Sequence, residues 1–160
     1  MRIVFAESCT GGLIAATLAQ IPGISDHFCG SAVVYRNATK NQWLGVTSRS
    51  LEKWGAVSRE VSIQMAKGVL KKTREAQISA SITGFLGPSG PKKELGHAFI
   101  SIAIRGSKQV ITQELWLMHR KGLTHNIRTK RQLLASHAVL NMVRSLLKSG
   151  SQQKRTLKSG

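Results

Sequence analysis

Acidic side chains are scarce. The 160-residue chain carries seven Asp and Glu against 24 Lys and Arg, a formal net charge of +17. That scarcity argues against an acidic tail, a calcium loop and a carboxylate-rich di-metal site, and it favours an anionic substrate or partner. Cysteine is nearly absent too: Cys9 and Cys29 are the only two. They lack zinc spacing, so free thiols in a reduced, cytoplasmic setting are expected. His27, His97, His119, His125 and His137 form no metal-binding pair, and neither metal nor cofactor is expected. Four Phe, three Trp and one Tyr are too few for a base-stacking platform. Trp43, Trp54 and Trp116 are therefore assigned to the core. No apolar run approaches the roughly 20 residues of a membrane span. Glu7 also interrupts the first apolar run before a signal-peptide core of about 7 to 15 residues can form, so export is not expected.

What is present fits one domain: 41% hydrophobic residues, and only three prolines to interrupt regular structure. Residues 2–6 read as a strand, Ser8-Cys9-Thr10-Gly11-Gly12 as a tight turn, and Leu13–Ala19 as a helix ended by Pro22-Gly23. Gly30–Tyr35 reads as a second strand, with Lys40 near the start of the next helix. Thr47 or Ser48 can cap a helix through Trp54, and Ser58 one to about Lys72. Gln77–Thr83 alternates like a strand. Residues 84–91 hold three glycines and two prolines, which demand a shaped loop. His97–Ile104 and Gln109–Met118 read as a hairpin. Ile127, Leu134, Ala138, Met142 and Leu146 form the apolar stripe of a terminal helix. The predicted fold is a three-layer α/β/α sandwich with a mixed sheet over residues 1–148, followed by a basic, flexible tail over 149–160.

The segment Ala6-Glu7-Ser8-Cys9-Thr10-Gly11-Gly12 places hydroxyls and bare backbone where a strand becomes a helix. Such a turn can present amides to an anion or to a developing oxyanion. It can equally be a structural turn and cap. It is neither a nucleotide-triphosphatase phosphate loop, since no Lys follows the glycines, nor a three-glycine dinucleotide fingerprint. Cys9, beside a helix start, admits a thiolate nucleophile but reads better as a small packing residue.

That segment, followed by Tyr35-Arg36-Asn37-Ala38-Thr39-Lys40, resembles the C-terminal domain of the competence-damage (CinA) family, whose standalone members include nicotinamide-nucleotide amidases. Leu44-Gly45-Val46, Gly55-Ala56-Val57-Ser58 and Thr83-Gly84-Phe85-Leu86-Gly87-Pro88 continue the likeness in the family's order, so that it covers residues 3 to about 104. The resemblance implies hydrolysis of the carboxamide of nicotinamide mononucleotide to nicotinic acid mononucleotide and ammonia, without a cofactor. By motif position, Ser8 would be the nucleophile and Lys40 the general base, with Tyr35 beside them. Glu7, Thr10, Gly11, Gly12, Thr83, Gly84 and Gly87 would border the substrate, Arg128 would meet its phosphate, and amides near Gly11 would stabilise the oxyanion. The family usually has a helix before the first strand, and this chain begins almost at that strand. A homo-oligomer covering exposed sheet is therefore expected. Phe85 and Leu86 also stand where smaller residues are usual, which alters the expected pocket.

A lysine serves as a base near neutral pH only when burial or neighbouring cations depress its pKa, so Lys40 must be partly buried. Glu7 would oppose this if it paired with Lys40. Taken singly, Ser8 reads as a helix cap, Lys40 as a solvated residue and Tyr35 as packing at a strand end. Two other readings of the chain stand beside the amidase. One is a catalytically inactive oligomeric relative. The other is a basic protein that binds nucleic acid nonspecifically, since ten Lys and Arg but no acid follow Glu114.

Overall fold

The computed structural model describes residues 1–88, 91–117 and 126–156, with side chains described as far as residue 149. Five strands form one mixed sheet: β1 (Ile3–Glu7), β2 (Phe28–Val33), β3 (Ile78–Gly84), β4 (His97–Ile104) and β5 (Val110–Trp116). Their order is β2-β1-β3-β4-β5. β1 runs parallel to both β2 and β3, whereas β4 and β5 are antiparallel additions. Helix α1 (Leu13–Ala19) connects β1 to β2, while α2 (Asn37–Leu44), α3 (Ser48–Trp54) and α4 (Arg59–Lys72) carry the chain back across β1 to β3. The two crossovers run in opposite directions. With the right-handedness that parallel crossovers favour, their helices fall on opposite faces of the sheet. The three-layer mixed α/β fold expected from the sequence is the one observed.

Alternation along β1 and β3 divides the core. Val4 and Ala6 face α2 and α4 with Val61, Met65 and Val69. Phe5, Ile78, Ala80 and Ile82 face α1 and the terminal helix α5 (Ile127–Thr156), with Ile14, Ala135 and Val139. The α4 side of β3 is polar, and its hydroxyls replace bulk. Ser79 Oγ donates to Ala66 O at 2.7 Å, Ser81 Oγ to Ser62 O at 2.7 Å and Thr83 Oγ1 to Ala56 O at 2.8 Å. These bonds satisfy buried hydroxyls and seat α4 closely on the sheet.

The caps match their sequence signals: Thr47 accepts from Ser50 N and Ser58 from Val61 N. Several expectations require correction. β2 spans Phe28–Val33 rather than Gly30–Tyr35, because Gly30 takes a positive φ of 135° at an irregularity in the β1 pairing. The three tryptophans are about half exposed. Trp116 instead stacks on His97 with ring centroids 4.2 Å apart, and Lys53 lies over Trp54. On α5 the buried line is Arg131, Ala135, Val139 and Val143, while Leu134 of the predicted stripe is exposed. Small side chains on that line admit close approach to β3 and β4, and longer apolar residues flank it. The helix also continues past Ser149 to Thr156. Met118, the expected end of β5, lies outside the described residues, as do residues 157–160.

No helix among the described residues is long and apolar enough to cross a membrane. An apolar groove of about 970 Å³, lined in part by Ile3, Phe5, Leu18, Ile78 and Val143, lies toward the amino-terminal ends of β1 and β3. The chemistry-bearing turn is at the other end.

Candidate active site

The parallel strands end together: Glu7 is in register with Val33 of β2 and Ile82 of β3. Because the chain leaves β1 and β2 in opposite directions, their following segments part. A crevice at the carboxyl ends of such strands is the usual place for a site in an open α/β sheet. Here the β1–α1 turn, residues 34–36 after β2, the loop after β3 and the first turns of α5 converge.

Glu7 organises the turn. Its buried carboxylate accepts from Thr10 Oγ1 (2.8 Å), Gly12 N (3.0 Å), Ile14 N (3.1 Å), Ala15 N (3.0 Å) and Ser31 Oγ (2.9 Å). Amides at the start of α1 thereby find an acceptor that the Gly12 cap lacks in its own side chain. Glu7 has no ion pair with Lys40, and its described contacts are internal, so its role here is to hold the turn. Gly11 and Gly12 supply the left-handed backbone, with φ of 64° and 99°. Their amides are already engaged, Gly11 N with Ser8 O at 3.1 Å and Gly12 N with Glu7. The oxyanion donors expected near Gly11 are therefore not the glycine amides. Thr10 N has no acceptor among the described residues, and the Cys9 amide faces its own thiol.

Ser8 is 7% exposed, and its hydroxyl has no hydrogen-bond partner among the described residues. Lys40, in the first half of α2, is 1% exposed. Its ammonium nitrogen Nζ donates to Tyr35 O at 3.1 Å. Burial lowers the Lys40 pKa. Val34 N donates to Glu7 O at 2.8 Å, so the segment leading to Tyr35 and Lys40 starts alongside the end of β1. Burial pushes the Cys9 thiol up to about 12, against smaller opposite effects of its own amide, Arg128 and Lys40. It stays a protonated packing residue near neutral pH.

Tyr35 is 57% exposed rather than packed. Its hydroxyl accepts from Arg128 Nη2 at 2.6 Å, and Arg128 Nη1 donates to Gly87 O at 3.0 Å. Arg128 thus bridges the segments after β2 and β3. Gly84 is required by packing, since a Cβ there would lie 2.6 Å from Ala98 Cβ. Gly87 has φ 74° and precedes a cis peptide to Pro88. Thr83 is buried, with its hydroxyl proton given to Ala56 O. Two residues at this end were not singled out from the sequence. Arg131 donates to Leu117 O and Leu86 O, and Gln132 Nε2 donates to Cys9 O at 3.0 Å. Gln132 and Cys9 are 123 positions apart, and no local pattern could pair them. Among the described residues no three His, Cys, Asp or Glu side chains converge as a metal site would require. His119 and His125 lie outside that set.

Sheet order and crevice define an α/β/α domain with a polar site at the carboxyl ends of its parallel strands. The sequence pattern of the CinA C-terminal domain matches residues 1–147. The chain belongs to this family. It is 38% identical over 138 residues to a "CinA-like protein" of Fervidobacterium nodosum, covering 86% of this chain and 31% of that protein. It thus spans about a third of the length of the curated relatives it matches. Among solved structures, the competence/damage inducible protein CihA of Agrobacterium tumefaciens superposes with TM-score 0.83 at 32% identity, covering 91% of this chain and 85% of that one. A competence-damaged protein (CinA) superfamily protein of Escherichia coli superposes with TM-score 0.81 at 28% identity, covering 91% and 80%.

Proposed function

We propose that this domain is an amidohydrolase that converts nicotinamide mononucleotide to nicotinic acid mononucleotide and ammonia. The observation that carries the reading is a buried lysine with a lowered pKa beside a turn that holds an unpartnered serine hydroxyl. In this state Lys40 Nζ is engaged with Tyr35 O and makes no hydrogen bond to Ser8 Oγ. The first step therefore requires Nζ to turn from that carbonyl toward Ser8, a tightening expected of a catalytic pair when substrate binds.

Neutral Lys40 takes the Ser8 proton as Oγ attacks the carboxamide carbon. The tetrahedral oxyanion collapses, the C–N bond breaks, and Lys40 returns the proton to the leaving nitrogen, which departs as ammonia. Water then attacks the acyl-enzyme, with Lys40 again accepting a proton, and the carboxylate product and Ser8 hydroxyl are released. Thr10 N–H is the free amide nearest in sequence to the nucleophile and suits the oxyanion. Arg128 offers a fork for the phosphate, and Tyr35 stands with it at the mouth. Glu7, Gly11 and Gly12 set the shape of the turn. Thr83, Gly84 and Gly87 form the wall after β3.

Ammonia release from nicotinamide mononucleotide tests this directly. Wild type should turn over, and Ser8→Ala and Lys40→Ala should each lose on the order of a thousandfold in kcat. Wild-type rates in Ser8→Ala would overturn the assignment.

A further inference from the structure

The Cys9–Thr10 peptide is fastened at one end and free at the other. Its carbonyl accepts from Gln132 Nε2 at 3.0 Å, and its N–H has no acceptor among the described residues. A carbonyl oxygen can only accept, so the Gln132 amide must turn its NH₂ toward it. This peptide is trans; among the described residues the only cis bond is Gly87–Pro88. In a trans peptide the C=O and N–H project to opposite sides. Holding Cys9 O toward Gln132 therefore aims Thr10 N–H away from α5. Gly11 and Gly12, which follow this peptide, adopt left-handed backbone, so the turn on its carboxyl side tolerates a rotated peptide. Gln132 lies one helical turn beyond Arg128, which places both on the crevice side of α5.

We infer that Gln132 is a positioning residue: its side-chain amide fixes the Cys9–Thr10 peptide so that Thr10 N–H serves as the oxyanion donor. This rests on the amidohydrolase reading, and it assigns the C-terminal helix a part in the chemistry. Gln132 touches neither the nucleophile nor the base. It acts through the backbone two residues from Ser8.

The test uses the full chain. Gln132→Met keeps length and removes the donor, while Gln132→Lys keeps a donor able to reach Cys9 O. With nicotinamide mononucleotide, Gln132→Met should lower kcat about tenfold with KM within twofold, since an oxyanion interaction is made only in the transition state. Gln132→Lys should recover most of the loss. A second readout, the rate at which phenylmethylsulfonyl fluoride modifies Ser8, should fall about tenfold in Gln132→Met and recover in Gln132→Lys. An unchanged kcat, a loss confined to KM, or equal impairment of the two folded variants would overturn the inference. Should wild type leave nicotinamide mononucleotide intact, the substrate assignment fails, and the sulfonylation rates then decide the role of Gln132 alone.

Discussion

Lys40, the proposed base, sits where its own burial costs the fold stability. An ammonium at 1% exposure has lost most of its hydration, and a single bond to Tyr35 O replaces part of it. Burial lowers its pKa from the ordinary value of 10.5. The unfolded chain then binds this proton more tightly than the folded one. The penalty is full below the folded pKa and is relieved as pH rises through that value toward 10.5. Lys40→Met should therefore be more stable than wild type near neutral pH, with an advantage that narrows as pH rises toward 10.5. Urea unfolding at a series of pH values measures this. An advantage that widens with pH would contradict it. At this scale the sequence marks the side chains at the turn but is silent about the role of one of them. Ser8, Lys40 and Tyr35 stand out by motif. Glu7, by contrast, proves to be an internal acceptor for five donors. That role requires the start of α1 and Ser31 of β2 to be in place, which a linear pattern cannot reveal.

Elements were legible wherever punctuation was strong. The Thr47 and Ser58 caps begin α3 and α4 as their side chains predict, and Gly45 and Gly55 follow the ends of α2 and α3. The errors arose where two patterns competed. On α5 the lines through Leu134 and through Ala135 both repeat every four residues. Packing against β3 and β4 selects the line with smaller side chains. Exposed tryptophans on α2 and α3 misled for a related reason, since size favours burial on average but these helices bury only one face. Gly68 marks the tightest approach at any glycine among the described residues. A Cβ there would lie well inside contact distance of the Leu44 carbonyl oxygen of α2. Alanine is the better helix former by about 1 kcal/mol, while overpacking costs typically 1–3 kcal/mol. Because the obstacle is backbone, overpacking should win, and Gly68→Ala should lose about 2 kcal/mol in urea unfolding. A gain of about 1 kcal/mol would mean that α2 and α4 separate easily.

For the whole molecule, the layered architecture followed from helices alternating with strands and a terminal hairpin. The site's assembly did not. Arg128 reaches Tyr35 across 93 positions and Gln132 reaches Cys9 across 123. Such contacts exist only after α5 has docked across the sheet. A net charge of +17 suits an anionic nucleotide substrate, but charge alone selects no chemistry. In the proposed mechanism the chemistry rests on Ser8, just after β1, and Lys40 in α2, 32 positions apart and working as a unit. Groups that act together lose their effect together, so removing the second should add little to the loss of the first. The decisive measurement is ammonia release from nicotinamide mononucleotide by Ser8→Ala, Lys40→Ala and the double variant. Both single variants should fall on the order of a thousandfold, with the double variant within about threefold of either. Losses that multiply in the double variant, or a Ser8→Ala enzyme that keeps its rate, would contradict a Ser8–Lys40 pair.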